Sequence, residues 1–119
     1  MLRRAALSLI LLPACLAEST GPREVEEEIG DVLFLRDVRP IFAEHCYECH
    51  GASLAEANLR LDRGEDVIGS RRGAPIVVRG APEESLLYRR LISRSEPMPP
   101  PAAMRALSNR QIAVIEKWI

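Results

Sequence analysis

Three side chains within five residues carry most of the chemistry that this sequence offers. They are Cys46, Cys49 and His50, in the run Cys46-Tyr47-Glu48-Cys49-His50. The pattern C-x-x-C-H is the attachment signature of c-type haem. Two thiols with two residues between them can add to the two vinyl groups on one edge of a porphyrin, and the next imidazole can bind the iron from below. The spacing therefore predicts covalently attached haem c as the cofactor.

Other kinds of site use the same residue types. A redox-active C-x-x-C pair usually opens a helix after a strand, and no strand-like run precedes Cys46. A zinc site needs four ligands, and the nominal ones here are His45, Cys46, Cys49 and His50. His45 and Cys46 are adjacent and cannot easily turn toward one metal ion. Haem attachment is therefore the favoured interpretation, and a zinc site, a disulfide and a chance match are its alternatives.

A methionine on a proline-rich loop is the candidate for the second iron ligand. Met98 lies in the run Glu96-Pro97-Met98-Pro99-Pro100-Pro101, whose prolines stiffen the backbone. A thioether on such a loop loses little entropy when it binds iron. Met104 is the alternative and lacks the proline frame, while His45 precedes the attachment site and cannot easily reach across the ring. An open or water-bound iron is the third interpretation, with Met98 only filling a gap.

A first helix is expected to end at the attachment site and to position it. It runs into Cys46, with Asp37 as its N-cap and Pro40 in its first turn, where a missing N–H costs little. Its apolar face follows helical spacing and consists of Phe34, Val38, Ile41, Phe42 and His45.

Two further helices are predicted later in the chain. Pro82 opens the first of them, which ends near Ser93. Ser108 and Gln111 form a capping box that starts the last helix, and its apolar face is expected to pack across the first helix.

Residues 52–80 form the least regular part of the sequence. The run Leu59–Asp62 alternates and is predicted to be extended, and Ile76–Val78 is either a short strand or a buried loop. Five arginines in this region are candidates for pairing with the haem propionates, and none is preferred: Arg60, Arg63, Arg71, Arg72 and Arg79.

The composition fits one small domain with a thin core. The chain has 119 residues and a formal net charge of -1, so we expect no nucleic acid as a partner. Five aromatic residues are a small supply for a core of this size, and a haem would add a large apolar plate. The sequence shows no catalytic triad, carboxylate pair or phosphate loop, so we predict that the protein is not an enzyme.

Residues 1–17 predict export from the cytoplasm. A charged start and an apolar run too short to span a bilayer are typical of a signal peptide. The run Leu12-Pro13-Ala14-Cys15 is similar to a bacterial lipobox, so we favour a lipoprotein in which Cys15 is lipidated and becomes the first mature residue. Cleavage after Ala17, with loss of Cys15, is the alternative.

The next segment, residues 18–32, is acidic and predicts a flexible linker. The folded domain would then be exported to the periplasm or the cell envelope and tethered to a membrane through its lipid.

From Asp37 onward the residues match one known pattern. The stretch Asp37–Ile119 resembles the planctomycete-type cytochrome c domain. The resemblance rests on Asp37-Val38-Arg39-Pro40-Ile41-Phe42, the C-x-x-C-H motif followed by Gly51, Leu59-Arg60-Leu61-Asp62, the run 80–87, Met98-Pro99-Pro100 and the run 115–119. Two positions depart from the family: Ala81 stands where Asp is usual, and Arg79 stands where Pro is frequent.

The resemblance implies both a fold and a ligand set. The implied fold is an all-α, class I-like cytochrome c domain over residues 33–119, with three to five helices and long irregular loops around a covalent haem. The implied ligands are His50 on the proximal side of the iron and Met98 on the distal side. In the family this domain commonly precedes much larger domains.

The predicted function is one-electron transfer by covalently attached haem c with His/Met axial ligation. Its partners would be the redox proteins that donate and accept the electron. The alternative is a haem-bearing recognition or sensor module derived from a larger multidomain protein.

Overall fold

Short helices and one hairpin make up the regular structure of residues 29–119, the part of the chain that this computed structural model describes. The helices are α1 (Arg39–His45), α2 (Gly64–Val67), α3 (Leu86–Ile92) and α4 (Asn109–Trp118). A π-helical turn (Phe34–Val38) leads into α1, and 3₁₀ turns lie at Glu56–Asn58, Pro82–Glu84 and Pro101–Ala103. The predicted signal peptide, Cys15 and most of the linker lie outside the described residues.

The hairpin makes the all-α description too strict, although the small helical fold is as expected. Its strands are β1 (Ser70–Arg71) and β2 (Ala74–Pro75), paired antiparallel. Arg72 and Gly73 form the two-residue loop with positive φ angles of 50° and 79°, the geometry of the tight turns that join hairpin strands. The strand alternative for Ile76–Val78 is wrong, because the hairpin ends one residue earlier and Ile76 is buried in the following loop.

The first helical segment begins earlier than the sequence predicts. Leu33 is its N-cap and has no side-chain capping bond. The Asp37 carboxylate accepts a hydrogen bond from the Leu33 N–H at 2.7 Å, so Asp37 lies within the first turn and reaches back, and its prediction as N-cap is wrong. The wider π-helical turn stands just before Pro40, which has no N–H to donate to a regular helix.

The core joins the first and last helical segments, as the sequence predicts. Phe42 and Ile115 are completely buried. The Trp118 ring lies 6.2 Å from Phe42 and 5.2 Å from Phe34, measured between ring centroids. The predicted capping box is present: the Ser108 hydroxyl accepts from the Gln111 N–H, and the Gln111 side chain accepts from the Ser108 N–H. This core holds α1, and with it the segment that follows α1.

Ser85 joins the irregular middle of the domain to α3. It is fully buried, and its hydroxyl accepts from the Val78 N–H at 2.8 Å and donates to the Ala81 carbonyl at 3.0 Å. Ala81 itself makes no side-chain capping bond. The buried Ser85 hydroxyl therefore links Val78 and Ala81 in the turn that precedes α3. Within residues 29–119, none of the helices has the length and apolar character that a membrane crossing requires.

Candidate haem-attachment site

The chain turns sharply after α1 to form the segment that carries both candidate thiols. The N–H groups of Cys49 and His50 both donate to the carbonyl of Cys46, at 3.2 Å and 2.9 Å, and the Cys46 N–H donates back to Phe42 at 2.8 Å. Because one carbonyl collects both bonds, Cys46–His50 is a closed turn, here called the attachment turn. It brings Cys46, Cys49 and His50 together, and both cysteines are free thiols.

Gly51 allows the backbone to pass very close to the Tyr47 carbonyl as the chain leaves the attachment turn. A Cβ at this position would lie 2.3 Å from the carbonyl oxygen of Tyr47. The obstructing atom is backbone, which cannot rotate away as a flexible side chain could. Beyond Gly51 the chain folds back, since the Leu61 N–H donates to the His50 carbonyl at 2.8 Å. The backbone of His50 is therefore fixed from both sides.

The two histidines of the chain have opposite surroundings. The Nδ1 atom of His50 is buried and finds no hydrogen-bond partner among the described residues. The His45 ring is held at both nitrogens, with Nδ1 2.8 Å from the Arg105 carbonyl oxygen and Nε2 3.1 Å from the Gln111 amide nitrogen. His45 is therefore a structural link between the end of α1 and the start of α4, whereas His50 is available for a ligand.

Burial changes the chemistry of the first thiol. Loss of water around Cys46, and secondly the nearby Cys49, raise the pKa of the Cys46 thiol to about 12. The thiolate is the nucleophilic form of cysteine, so a thiol with this pKa is nearly unreactive at neutral pH.

Met98 lies on a separate loop between α3 and the turn Pro101–Ala103. Its N–H donates to the Arg90 carbonyl in α3 at 3.0 Å, and the residue is 42% exposed. Met104 is 91% exposed and has a left-handed backbone with φ of 51°. Of the two candidate methionines, Met98 is the more enclosed.

Arg105 contacts the attachment turn and was missed by the sequence analysis. Its guanidinium donates to the Glu44 carbonyl at 2.8 Å and pairs with the Glu48 carboxylate. Its own carbonyl faces the His45 ring. These contacts join residues about sixty positions apart, and no local sequence pattern around Arg105 predicts them.

Residues 46–102 match the family model of planctomycete cytochrome C. The match begins at Cys46 and includes the C-x-x-C-H motif and Met98, and it confirms the resemblance that the sequence predicted over this part of the chain. No curated protein and no solved structure matches the chain. A cytochrome c domain of this family carries covalently bound haem c with its iron, and its general role is haem binding and electron transfer.

The side chains of the attachment turn fit the cofactor of a planctomycete cytochrome c domain. Two free thiols stand at the C-x-x-C-H spacing, and the buried Nδ1 of His50 has no hydrogen-bond partner among the described residues. Leu54, whose carbonyl accepts from Gly51, leaves an apolar side chain 48% exposed beside the turn. The set of donors and the apolar surface are what a tethered porphyrin requires.

The zinc alternative finds no comparable arrangement. Within residues 29–119, no group of three or more His, Cys, Asp or Glu side chains is placed to hold a metal ion. His45, one of the four nominal ligands, is already bonded to Arg105 and Gln111. The segment before Cys46 is a helix, not the strand that typically precedes a redox C-x-x-C pair.

Two of the five arginines considered for the haem propionates have carboxylate partners of their own. Arg60 pairs with Asp62 at 2.6 Å, and Arg63 pairs with Glu65. Arg71 and Arg72 lie in the hairpin, and Arg79 is exposed in the turn before Gly80. The structure therefore singles out none of the five.

Proposed function

We propose that this chain carries single electrons on a haem c that Cys46 and Cys49 hold covalently, with His50 and Met98 as axial ligands of the iron. The observation that supports this most strongly is the attachment turn, where two free thiols and an imidazole with an unpartnered nitrogen meet in one closed turn. The haem, when bound, supplies an iron that changes oxidation state by one electron.

Each proposed ligand has a separate task. The two thioethers would keep the cofactor on a chain whose own core is small. His50 would bind the iron on the proximal side, on a backbone already fixed by its bonds to Cys46 and Leu61. Met98 would bind on the distal side, and a methionine ligand raises the reduction potential relative to a second histidine.

This ligand set favours a carrier over an enzyme. If His50 and Met98 both bind the iron, no coordination position is left for a substrate or a gas. Electrons can then enter and leave only through the edge of the macrocycle. The proposed partners are accordingly proteins that dock and exchange an electron.

Covalent attachment can be tested directly. The protein should be exported in a strain with c-type maturation machinery, and its pyridine haemochrome spectrum should report two thioether bonds. The haem should stay with the chain through denaturation and acid–acetone extraction. In a Cys46→Ala, Cys49→Ala control it should be extracted completely. Extraction of the haem from the wild-type chain would refute the thioether proposal.

The distal ligand is tested by a pair of methionine variants. Met98→Ala should abolish the weak sulfur-to-iron band near the red end of the oxidised spectrum, lower the reduction potential and open the iron to carbon monoxide. Met104→Ala should do none of these, because its side chain is almost fully exposed. The opposite pattern would assign the ligand to Met104.

A sensor or recognition module is the second candidate. It is favoured by the exposure of Met98, a residue that is 42% exposed and does not belong to the hydrophobic core. In that case the wild-type protein would lack the sulfur-to-iron band and would bind carbon monoxide readily. An electron carrier with the proposed ligands would show the band and stay closed to the gas.

The location of the protein is a proposal from the sequence of residues 1–32. We propose that it is exported and anchored in a membrane through a lipid on Cys15, since acyl chains of this kind give stable anchoring. Cys15→Ser should move the protein from the membrane fraction to the soluble periplasmic fraction. Equal partition of the variant and the wild type would instead support simple secretion.

A further inference from the structure

We propose that Arg105 is a positioning residue for Met98, because it fastens the far end of the methionine loop to the attachment turn. The inference rests on the proposed His50 and Met98 ligation. It assigns a role to a residue that lies outside the part of the chain that matches the family model, which ends at residue 102.

Arg105 contacts the end of α1 through its backbone and side chain, and it contacts the attachment turn through its side chain. One guanidinium nitrogen donates to the Glu44 carbonyl at 2.8 Å, and the other pairs with the Glu48 carboxylate, inside the C-x-x-C-H motif. The Arg105 carbonyl accepts from Nδ1 of His45 at 2.8 Å. Arg105 therefore donates through its side chain and accepts through its backbone carbonyl, and contacts of both kinds fix the orientation of the segment as well as its position.

The near end of the same loop is fastened to α3. The Met98 N–H donates to the Arg90 carbonyl at 3.0 Å, and the Arg90 guanidinium pairs with the Glu96 carboxylate. The methionine loop, residues 96–105, is thus held at one end by α3 and at the other by the end of α1 and the attachment turn.

The chain between the two fastened ends is stiff. Pro99, Pro100 and Pro101 fix their φ angles, and Pro101–Ala103 closes into a 3₁₀ turn. A stiff segment transmits a displacement at one end to the other instead of absorbing it. Release of Arg105 should therefore loosen Met98, seven residues away, even though Arg105 does not touch it.

The fold does not depend on Arg105 alone. Phe42, Ile115 and Trp118 pack α1 against α4, and the Gln111 amide bonds to the His45 ring. A variant that lacks the Arg105 side chain should therefore fold and carry haem. The Arg105 and Glu48 side chains are 43% and 65% exposed, so water and salt screen their ion pair and the effect will be moderate.

The test compares haem-loaded Arg105→Ala with wild type and with Arg94→Ala, an exposed arginine four residues before Met98. In a urea titration, the sulfur-to-iron band and the far-ultraviolet helix signal should disappear together in wild type and in Arg94→Ala. In Arg105→Ala the band should disappear at a lower urea concentration than the helix signal. Carbon monoxide should bind about tenfold faster, as expected for the loss of one charge-assisted hydrogen bond.

Two further results decide between positioning and general stabilisation. If the band and the helix signal shift together in Arg105→Ala, or if neither shifts, the positioning role is refuted. Glu48→Gln removes only the ion pair with Arg105. In this variant the band should again disappear at a lower urea concentration than the helix signal, by a smaller difference than in Arg105→Ala. This second variant keeps the test valid if Arg105→Ala does not fold. A wild-type protein without the band would refute the ligand proposal itself.

Discussion

Gly51 is the residue at which the attachment turn has the least room. Replacement by Ala would place a methyl group 2.3 Å from the Tyr47 carbonyl oxygen, so the backbone would have to move. We expect Gly51→Ala to destabilise the haem-loaded protein by about 3 kcal/mol, near the upper end of the cost of overpacking. The measurement is the free energy of unfolding in urea.

Gly64 provides a matched control for this substitution. It begins α2 and has no atom within 4 Å of a Cβ built at its position. Gly64→Ala should leave stability unchanged or raise it by up to about 1 kcal/mol, because it restricts only the unfolded chain. Equal changes in unfolding free energy for the two variants would show that the close approach at Gly51 does not exclude a Cβ at that position.

Ser85 illustrates the cost of leaving one buried donor without a partner. Ser85→Ala removes the acceptor of the Val78 N–H and should cost about 1–3 kcal/mol in unfolding free energy. Ser93→Ala removes a similar acceptor from the Glu96 N–H at an exposed position, where water can replace it, and should change stability by no more than about 0.5 kcal/mol. A Ser85 variant as stable as the Ser93 variant would contradict this account.

At the scale of elements, the stabilising contribution of Asp37 at the start of the first helical segment should be lost at acidic pH. The Arg36 guanidinium, and after it the Leu33 N–H, hold the pKa of Asp37 below its ordinary value of 3.8. A carboxyl whose pKa is lower in the folded state stabilises the fold above its unfolded pKa and loses that contribution as pH falls through the folded pKa.

Asp37→Asn should therefore be less stable than the wild type at neutral pH. The difference should begin to shrink near pH 3.8 and should close only below the lower pKa of folded Asp37. Urea midpoints of the haem-loaded proteins, measured from neutral pH down to about pH 2, give the comparison. A difference that stays constant over this range would mean that the Asp37 charge makes no contribution.

The sequence predicted those elements whose signals are local. The capping box at Ser108 and Gln111 and the end of α3 before Ser93 are set by neighbouring residues, and both are present. The start of the first segment was missed because Leu33 is not a capping residue and Asp37 acts on a residue four positions earlier. The hairpin was missed because Arg72 occupies a left-handed position that usually favours glycine or asparagine.

In the candidate site too, a local pattern predicts some of the residues, and only the tertiary structure reveals the others. Cys46, Cys49 and His50 lie within five consecutive residues, so the motif alone predicts their chemistry. The contacts of Arg105 with Glu44 and Glu48, and of His45 with Gln111, depend on how α1 meets the loop before α4. Tertiary packing decides those contacts, so no pattern within a short stretch of sequence could show them.

At the scale of the whole molecule, the core of the described residues is small. It contains nine buried apolar residues, of which only Phe42 and Tyr88 are aromatic. Small domains bury a low fraction of their surface and often need a cofactor for stability. A haem tethered beside the attachment turn would extend this core.

Absence of the cofactor should therefore prevent stable folding. The same chain produced without c-type maturation should show reduced helix signal, no cooperative urea transition and rapid proteolysis. The haem-loaded protein is the control and should unfold in one cooperative transition. A cooperative transition in the haem-free chain would show that the polypeptide core is sufficient.

The close approach at Gly51 also changes how the attachment motif should be defined in this chain. Haem chemistry specifies three positions of C-x-x-C-H, but the backbone of the turn specifies a fourth, since no side chain fits after His50. The pattern to search for is then C-x-x-C-H-G. Because glycine makes up about 7% of residues in average proteins, the added position lowers the number of chance matches about fourteenfold. A constraint that never touches the cofactor thus makes the cofactor's signature easier to recognise.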